Sequence, residues 1–305
     1  MNRREVIFLE FKKPPTAENL EKYIREINKI HPCSKSFSIG KSVLGRKIPV
    51  LSLGKTGGST LFVGATHGSE WLTTLVLLRF FDEVCEAFEH GEKLFGINIG
   101  TAIFKRGLAV VPVLNPDGTE ICLNGKAGAK TSGAYVERLS KGDYIHWNAN
   151  AKGVDINHNF GAGWEELRNL EREAGIFGPA PGKYGGPKAF SEPETRAICG
   201  FCSTFDAKRL YSFHSQGEEV YWYYGRRTPI ISRDMANEFA LACGYKTAFP
   251  SGTAVFGGLK DWYIEKFGRP GFTVEIGKGK NPLPLSDFDE IYEKLKPALI
   301  KALVM

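Results

Sequence analysis

His67 and Glu70 stand three positions apart in Gly64-Ala65-Thr66-His67-Gly68-Ser69-Glu70-Trp71. A histidine and a carboxylate at this spacing can share one metal ion, although an isolated pair is more often a surface feature. His214, in Phe213-His214-Ser215-Gln216-Gly217, offers a third donor. Two His and one carboxylate are the ligand set of a catalytic zinc that keeps one position open for water. Such an ion lowers the pKa of its water to about 7 and polarises a carbonyl oxygen. A second carboxylate, off the metal, must then take the water's proton and hand it to the leaving amine. Glu275 sits in Gly271-Phe272-Thr273-Val274-Glu275-Ile276-Gly277, an apolar run in which a carboxylate is costly unless paired or used. Each of these residues has a plainer reading. His214 could be a hydrogen-bonded core residue, and Glu275 could face solvent from an edge strand. His31, His90 and His146 have no motif around them and read as surface residues.

These groups need strands to carry them. Leu61 to Ala65 is an apolar strand that leads into His67, and Leu72 to Phe88 is a helix that leaves it. Sites of open α/β sheets lie at the carboxyl ends of strands. Arg209 to Phe213 delivers His214, and Phe272 to Ile276 carries Glu275. Thr16 to Ile30 reads as a helix capped by Thr16, with strands at Phe37–Ile39 and Lys47–Leu53. Leu108 to Leu114 reads as a strand closed by the turn formers Asn115-Pro116-Asp117-Gly118. Residues 124–150 read as a long functional loop, and 161–190 as a second irregular stretch. Ser191 and Glu194 have capping-box spacing, with Pro193 in the first turn of the helix that follows. Further helices are expected at 229–243, 259–267 and 286–304. The alternation predicts one α/β domain over residues 1–305, with a largely parallel sheet covered by helices on both faces.

The chain has 305 residues, 42% hydrophobic and 24% charged, with a net charge of +6. Its cations are scattered, so a nucleic-acid partner is not expected. No apolar stretch reaches the length of a membrane span. The start, Met1 to Glu10, holds only four consecutive apolar residues, too few for a signal peptide, and the expectation is a cytoplasmic protein. The six cysteines read as free thiols. The oligomeric state is not legible.

Taken in order, the motifs around His67, Asn115-Pro116-Asp117-Gly118, Gly153-Val154-Asp155-Ile156-Asn157-His158-Asn159-Phe160, Ser191-Glu192-Pro193-Glu194-Thr195, His214, Asp261-Trp262 and Glu275 resemble the carboxypeptidase A-like zinc peptidases. The resemblance spans residues 60 to 290. It implies one zinc ion held by His67, Glu70 and His214, Glu275 as general base, and a mixed sheet of about eight strands between helices. It also marks departures. Many members have Asn-Arg where this chain has Asn157-His158, and His cannot copy the two-pronged grip of Arg on a carboxylate. No Tyr stands in the usual place before Ser251-Gly252, though Tyr245 is near; Lys152 is the nearest cation to replace the oxyanion-stabilising Arg. Asn157, His158 and Tyr245 are therefore the candidate substrate contacts.

Lys260-Asp261-Trp262, Phe267-Gly268-Arg269-Pro270-Gly271 and Asn281-Pro282-Leu283-Pro284-Leu285 resemble the branch that cuts γ-D-glutamyl-meso-diaminopimelate bonds. The expected substrate is a murein stem peptide. The residues leave open a conventional carboxypeptidase, a deacylase of N-acyl amino acids, or a non-catalytic wall-peptide binding protein. Residues 1–35 read as an N-terminal helical extension of the catalytic unit.

Overall fold

A computed structural model describes residues 9–55 and 58–305. Residues 1–8, most of the stretch read for an export signal, lie outside the described residues. Helix α1 (Ala17–Ile30) starts where Thr16 Oγ1 accepts from the Asn19 N–H, and it buries Leu20, Tyr23 and Ile27. Then come β1 (Lys35–Lys41), β2 (Lys47–Leu53), β3 (Thr60–Val63) and α2 (Leu72–Glu89). A small hairpin, β4 (Lys93–Leu94) and β5 (Ile97–Asn98), precedes α3 (Ile99–Arg106) and β6 (Leu108–Val111). The middle of the chain forms α4 (Pro116–Gly128), α5 (Gly133–Ser140), α6 (Trp164–Glu173) and α7 (Pro193–Phe205). The last part holds β7 (Arg209–Ser215), β8 (Glu219–Tyr221), α8 (Ile231–Cys243), β9 (Lys246–Ala248), α9 (Leu259–Phe267), β10 (Gly271–Ile276) and α10 (Phe288–Ala302).

The main sheet has eight strands in the order β1-β2-β6-β3-β7-β10-β8-β9. Its centre, β6-β3-β7-β10, is parallel; β1, β2 and β8 join antiparallel, and β9 runs parallel to β8. The period-two alternation of strands divides the core into two layers. Phe62 of β3 packs with Phe80 of α2 and with Tyr211 and Phe213 of β7, ring centroids 5.3 to 5.4 Å apart. Its neighbours Leu61 and Val63 face the other layer, with Ile198 and Phe201 of α7 and Tyr263 of α9. Helices thus cover both faces of one α/β domain.

The alternation also decides where polarity goes. On β7 and β10, Tyr211, Phe213, Phe272, Val274 and Ile276 fill the first layer. The intervening Ser212, His214, Thr273 and Glu275 point to the opposite face. Parallel register sets Thr273 beside Ser212 and Glu275 beside His214. β10 lies between β7 and β8, so Glu275 is not on an edge strand.

Several local expectations are corrected. Asn115-Pro116-Asp117-Gly118 opens a helix instead of closing a turn: the Asn115 side chain accepts from the Gly118 N–H at 2.8 Å and Pro116 takes the first helical position. Residues 124–150 are not one loop: beyond a break at Gly125, where φ is +57°, helical turns run on to Gly128, and α5 lies within them. The second irregular stretch contains α6, whose polar composition hid a narrow apolar face. The Ser191 capping box does not form: Ser191 Oγ donates to Glu192, while Glu194 accepts from the Val43 N–H and from Asn150. His31 is buried, not on the surface, where it closes the end of α1 against α2. All six cysteines are free. No helix among the described residues is long and apolar enough to cross a membrane.

Candidate active site

The loop after β3 has little room. A Cβ on Gly68 would stand 2.3 Å from the Gly118 carbonyl oxygen and 2.5 Å from that of Trp147, so only glycine lets the backbone pass between α4 and the 141–150 segment. That passage turns His67 and Glu70 toward the polar ends of β7 and β10. His67 Nδ1 lies 2.9 Å from Glu70 Oε1, and His214 Nδ1 lies 3.0 Å from Glu70 Oε2. The two Nδ1 atoms are 3.3 Å apart. One donor atom from each of His67, Glu70 and His214 falls within 4.8 Å of the others.

The outer ring nitrogens are held from behind. His67 Nε2 lies 3.2 Å from Asp155 Oδ1, and His214 Nε2 lies 3.1 Å from Ser212 Oγ. Asp155 is itself fixed by the N–H groups of Asn157 and Lys183. With Nε2 carrying the proton toward these partners, both Nδ1 lone pairs face a common point beside Glu70. Two imidazole nitrogens and a carboxylate so disposed fit a divalent zinc ion. The charges agree with this. Burial pushes Glu70 upward, but His67 and His214 outweigh it and hold the carboxyl at about 2. Asp155 is likewise held below the usual carboxylate range by His67 and His158, against burial.

Glu275 is partly open to the same cavity. Burial, then the negative charge of Glu70, raises its carboxyl well above the ordinary range, with His67 opposing. A carboxylate so perturbed beside a metal-type donor set is suited to proton transfer.

The cavity holds about 210 Å³ and is lined by His67, Glu70, His214 and Glu275 together with Asn157, His158 and other polar residues. Two of the candidate contacts are elsewhere. Lys152 is half exposed, lines a separate cavity beside Tyr135 and Pro179, and has its ammonium 3.6 Å from Glu192. Tyr245 is buried, its oxygen accepting from the Gly277 N–H, and it does not line the site. Both expectations are therefore corrected. Each rested on closeness in sequence, and the backbone carries each side chain away from the cavity. His158 lines the cavity but is tied at Nδ1 to Glu171 and to the Lys183 carbonyl. Asn157 uses its Oδ1 to accept from the Leu259 N–H.

The sequence reading missed other groups. No arginine is among the described residues lining this cavity. Asn148 lines it instead. Ser69 Oγ donates to Asn148 Oδ1 at 2.5 Å, which leaves the Nδ2 protons available to an oxygen of a bound peptide. Lys183, Tyr221, Thr273, Lys260 and Asp261 also face the cavity. Asp155 was visible as part of the Gly153–Phe160 motif, and Lys260-Asp261 as a motif without a role.

Comparison with known proteins agrees with this geometry. Residues 20–298 match the zinc carboxypeptidase family. Gamma-D-glutamyl-L-diamino acid endopeptidase 1 of Lysinibacillus sphaericus is 32% identical over 273 residues, covering 89% of this chain and 67% of that protein. Carboxypeptidase A from Helicoverpa armigera shares the fold at a TM-score of 0.70 and 21% identity, over 97% of this chain and 74% of that one. Murein-tripeptide amidase MpaA from Escherichia coli O157 shares it at 0.54 and 21%, over 88% and 92%. The family match runs unbroken from α1 into α10, and on that evidence the chain belongs to the zinc carboxypeptidases and is a zinc-dependent metallopeptidase.

Proposed function

We propose that the protein hydrolyses the γ-D-glutamyl–meso-diaminopimelate bond of murein stem peptides, with one zinc ion held by His67, Glu70 and His214. The observation that carries the chemistry is the register of β10 on β7, which sets Glu275 beside His214 in one cavity. When bound, zinc supplies a Lewis acid for the scissile carbonyl and acidifies water. Glu275 receives the proton of the attacking water at its carboxylate and returns it to the nitrogen of the departing diamino acid. The carbon–nitrogen bond breaks, and a free γ-carboxylate and a free amine result. Asp155 and Ser212 hold the imidazoles in the tautomer that faces the metal.

The choice of substrate is supported by similarity to the Lysinibacillus endopeptidase, whose name gives this bond type. It is supported also by the cavity's lack of a guanidinium among the described residues, since an arginine fork is the usual grip on a free peptide terminus. Helix α1 works as part of the catalytic unit, because Leu20, Tyr23 and Ile27 belong to the same core as α2 and α10.

The test is mass spectrometry of L-Ala-γ-D-Glu-meso-diaminopimelate incubated with the zinc-loaded protein, with and without a chelator. Release of diaminopimelate that stops with chelator is expected. Intact tripeptide beside rapid loss of C-terminal residues from ordinary L-peptides would replace this reading by a conventional carboxypeptidase.

A further inference from the structure

Cys33 stands in the turn between α1 and β1, and Cys85 stands on the buried face of α2. They are distant in sequence, and the bonds around His31 draw their elements together. His31 Nδ1 lies 3.0 Å from Glu89 Oε2, and the Cys33 N–H donates to Glu89 Oε1 at 3.3 Å. Glu89 and Cys85 are one turn apart on α2, so they share a side of that helix. The Cys33 thiol therefore meets both the Glu89 carboxylate and the Cys85 thiol, as a hydrogen-bond neighbour of each.

The other thiols are placed differently. Cys122 donates to the Ile145 carbonyl at 3.1 Å, and Cys243 to that of Phe239 at 3.3 Å, one turn back in its own helix. Cys199 and Cys202 are neighbours within α7, so a bond between them would join no separate elements. Cys33 and Cys85 instead bring together thiols of two elements. They also differ in access. Cys85 is wholly buried, and burial pushes its thiol pKa up, while Cys33 is half-buried. A reagent from solvent meets Cys33 first.

We propose that Cys33 and Cys85 are an oxidative modification site, closed to a disulfide by hydrogen peroxide. The Cys33 sulfur attacks one peroxide oxygen and the O–O bond breaks, giving a sulfenic acid and one water. The Cys85 sulfur then displaces the hydroxyl from Cys33. The S–S bond forms, and the hydroxyl leaves with the Cys85 proton as a second water. Two thiols are oxidised to one disulfide, and one peroxide is reduced to two waters. The loop so closed is about fifty residues long and carries β1, β2, β3, His67 and Glu70. The bond restrains this segment in the unfolded chain, so it steadies the part of the site that follows β3. Neither cysteine lines the cavity, and the inference does not depend on which bond the enzyme cuts.

The experiment treats the zinc-loaded protein with a slight excess of hydrogen peroxide, alkylates the remaining thiols in urea, and maps the digest by mass spectrometry without reduction. A peptide pair joined through Cys33 and Cys85 is expected, and dithiothreitol should separate it. The oxidised protein should melt about 5 °C higher than the reduced one, with zinc content unchanged. Cys33→Ser should show neither the link nor the rise. If that variant does not fold, native protein alkylated at Cys33 before oxidation takes its place. Cys33 halted at a sulfinic acid with Cys85 still alkylated, or a link to another thiol in place of this one, would overturn the site. The expected link without a rise in melting temperature would overturn its stabilising role.

Discussion

Two clusters in this protein are built from the same residue types, and their imidazoles are held in different ways. One is His67, Glu70 and His214 at the ends of the central strands; the other is His31 with Asp82, Glu86 and Glu89 between α1 and α2. Around His31 both ring nitrogens are taken, Nε2 by Asp82 at 3.0 Å and Nδ1 by Glu89 at 3.0 Å. That is a clamp on an imidazolium. Burial alone would lower the His31 pKa, but the bonds to Asp82 and Glu89 outweigh it and raise it to about 9. At the other cluster each ring also has a partner at both nitrogens, one outward on Asp155 or Ser212 and one inward on Glu70, but the two inward nitrogens come from different strands, share one carboxylate and lie 3.3 Å apart. Composition therefore does not make a metal site. What distinguishes the candidate site is that ring nitrogens from two separate strand ends are pointed at one place.

Glu275 has no counterpart near His31 and separates the two clusters most sharply. Glu275→Gln should reduce kcat by about 10³- to 10⁴-fold, the scale of a lost general base, while the purified variant keeps one equivalent of zinc by atomic absorption. A near-native rate would remove Glu275 from the proton path. Next in size is the outward tie. Asp155→Asn should weaken zinc binding by about 10- to 100-fold in a chelator competition, because the amide no longer fixes the His67 tautomer. Unchanged affinity would mean that Asp155 serves only the loop backbone it also binds.

The smallest effect on turnover belongs to His31. His31→Gln should leave zinc content and kcat unaltered and lower unfolding stability instead. The raised pKa sets the pH window. Below the ordinary value of 6.5 the imidazole is protonated in folded and unfolded chains alike, and the clamp contributes fully, about 2 to 3 kcal/mol. The contribution declines as pH rises and is gone above about 9. Urea titrations of both proteins at pH 6 and pH 9.5 check this, and a constant difference between them would contradict the clamp.

The central strands and their helices were legible because each run has one period and one kind of face. Leu61-Phe62-Val63 and Phe272 to Ile276 read as strands, and Glu275 stood out against its apolar neighbours although an exposed edge strand remained open for it. Segments that answer to distant partners were not legible. Asn115-Pro116-Asp117-Gly118 supports a turn and a helix start equally well until α4 is seen to continue. His31 has no local motif because both its partners lie more than fifty positions away. Lys152 looked like the nearest spare cation in sequence, yet the backbone from Asn150 to Gly153 carries its side chain toward Glu192. The cavity-lining residues Asn148, Lys183, Thr253 and Phe256 sit on such segments. The candidate metal donors at strand ends were therefore easier to name than the other residues lining the cavity.

The pairing of β10 with β7 has a consequence for how the protein matures. A slip of one residue would turn Glu275 and Thr273 into the apolar layer and send Val274 to the face that holds His67 and His214. Setting Glu275 beside His214 requires one event, in which two strands more than fifty residues apart in the chain find one alignment. Zinc-dependent turnover can then serve as a clock for that event during refolding.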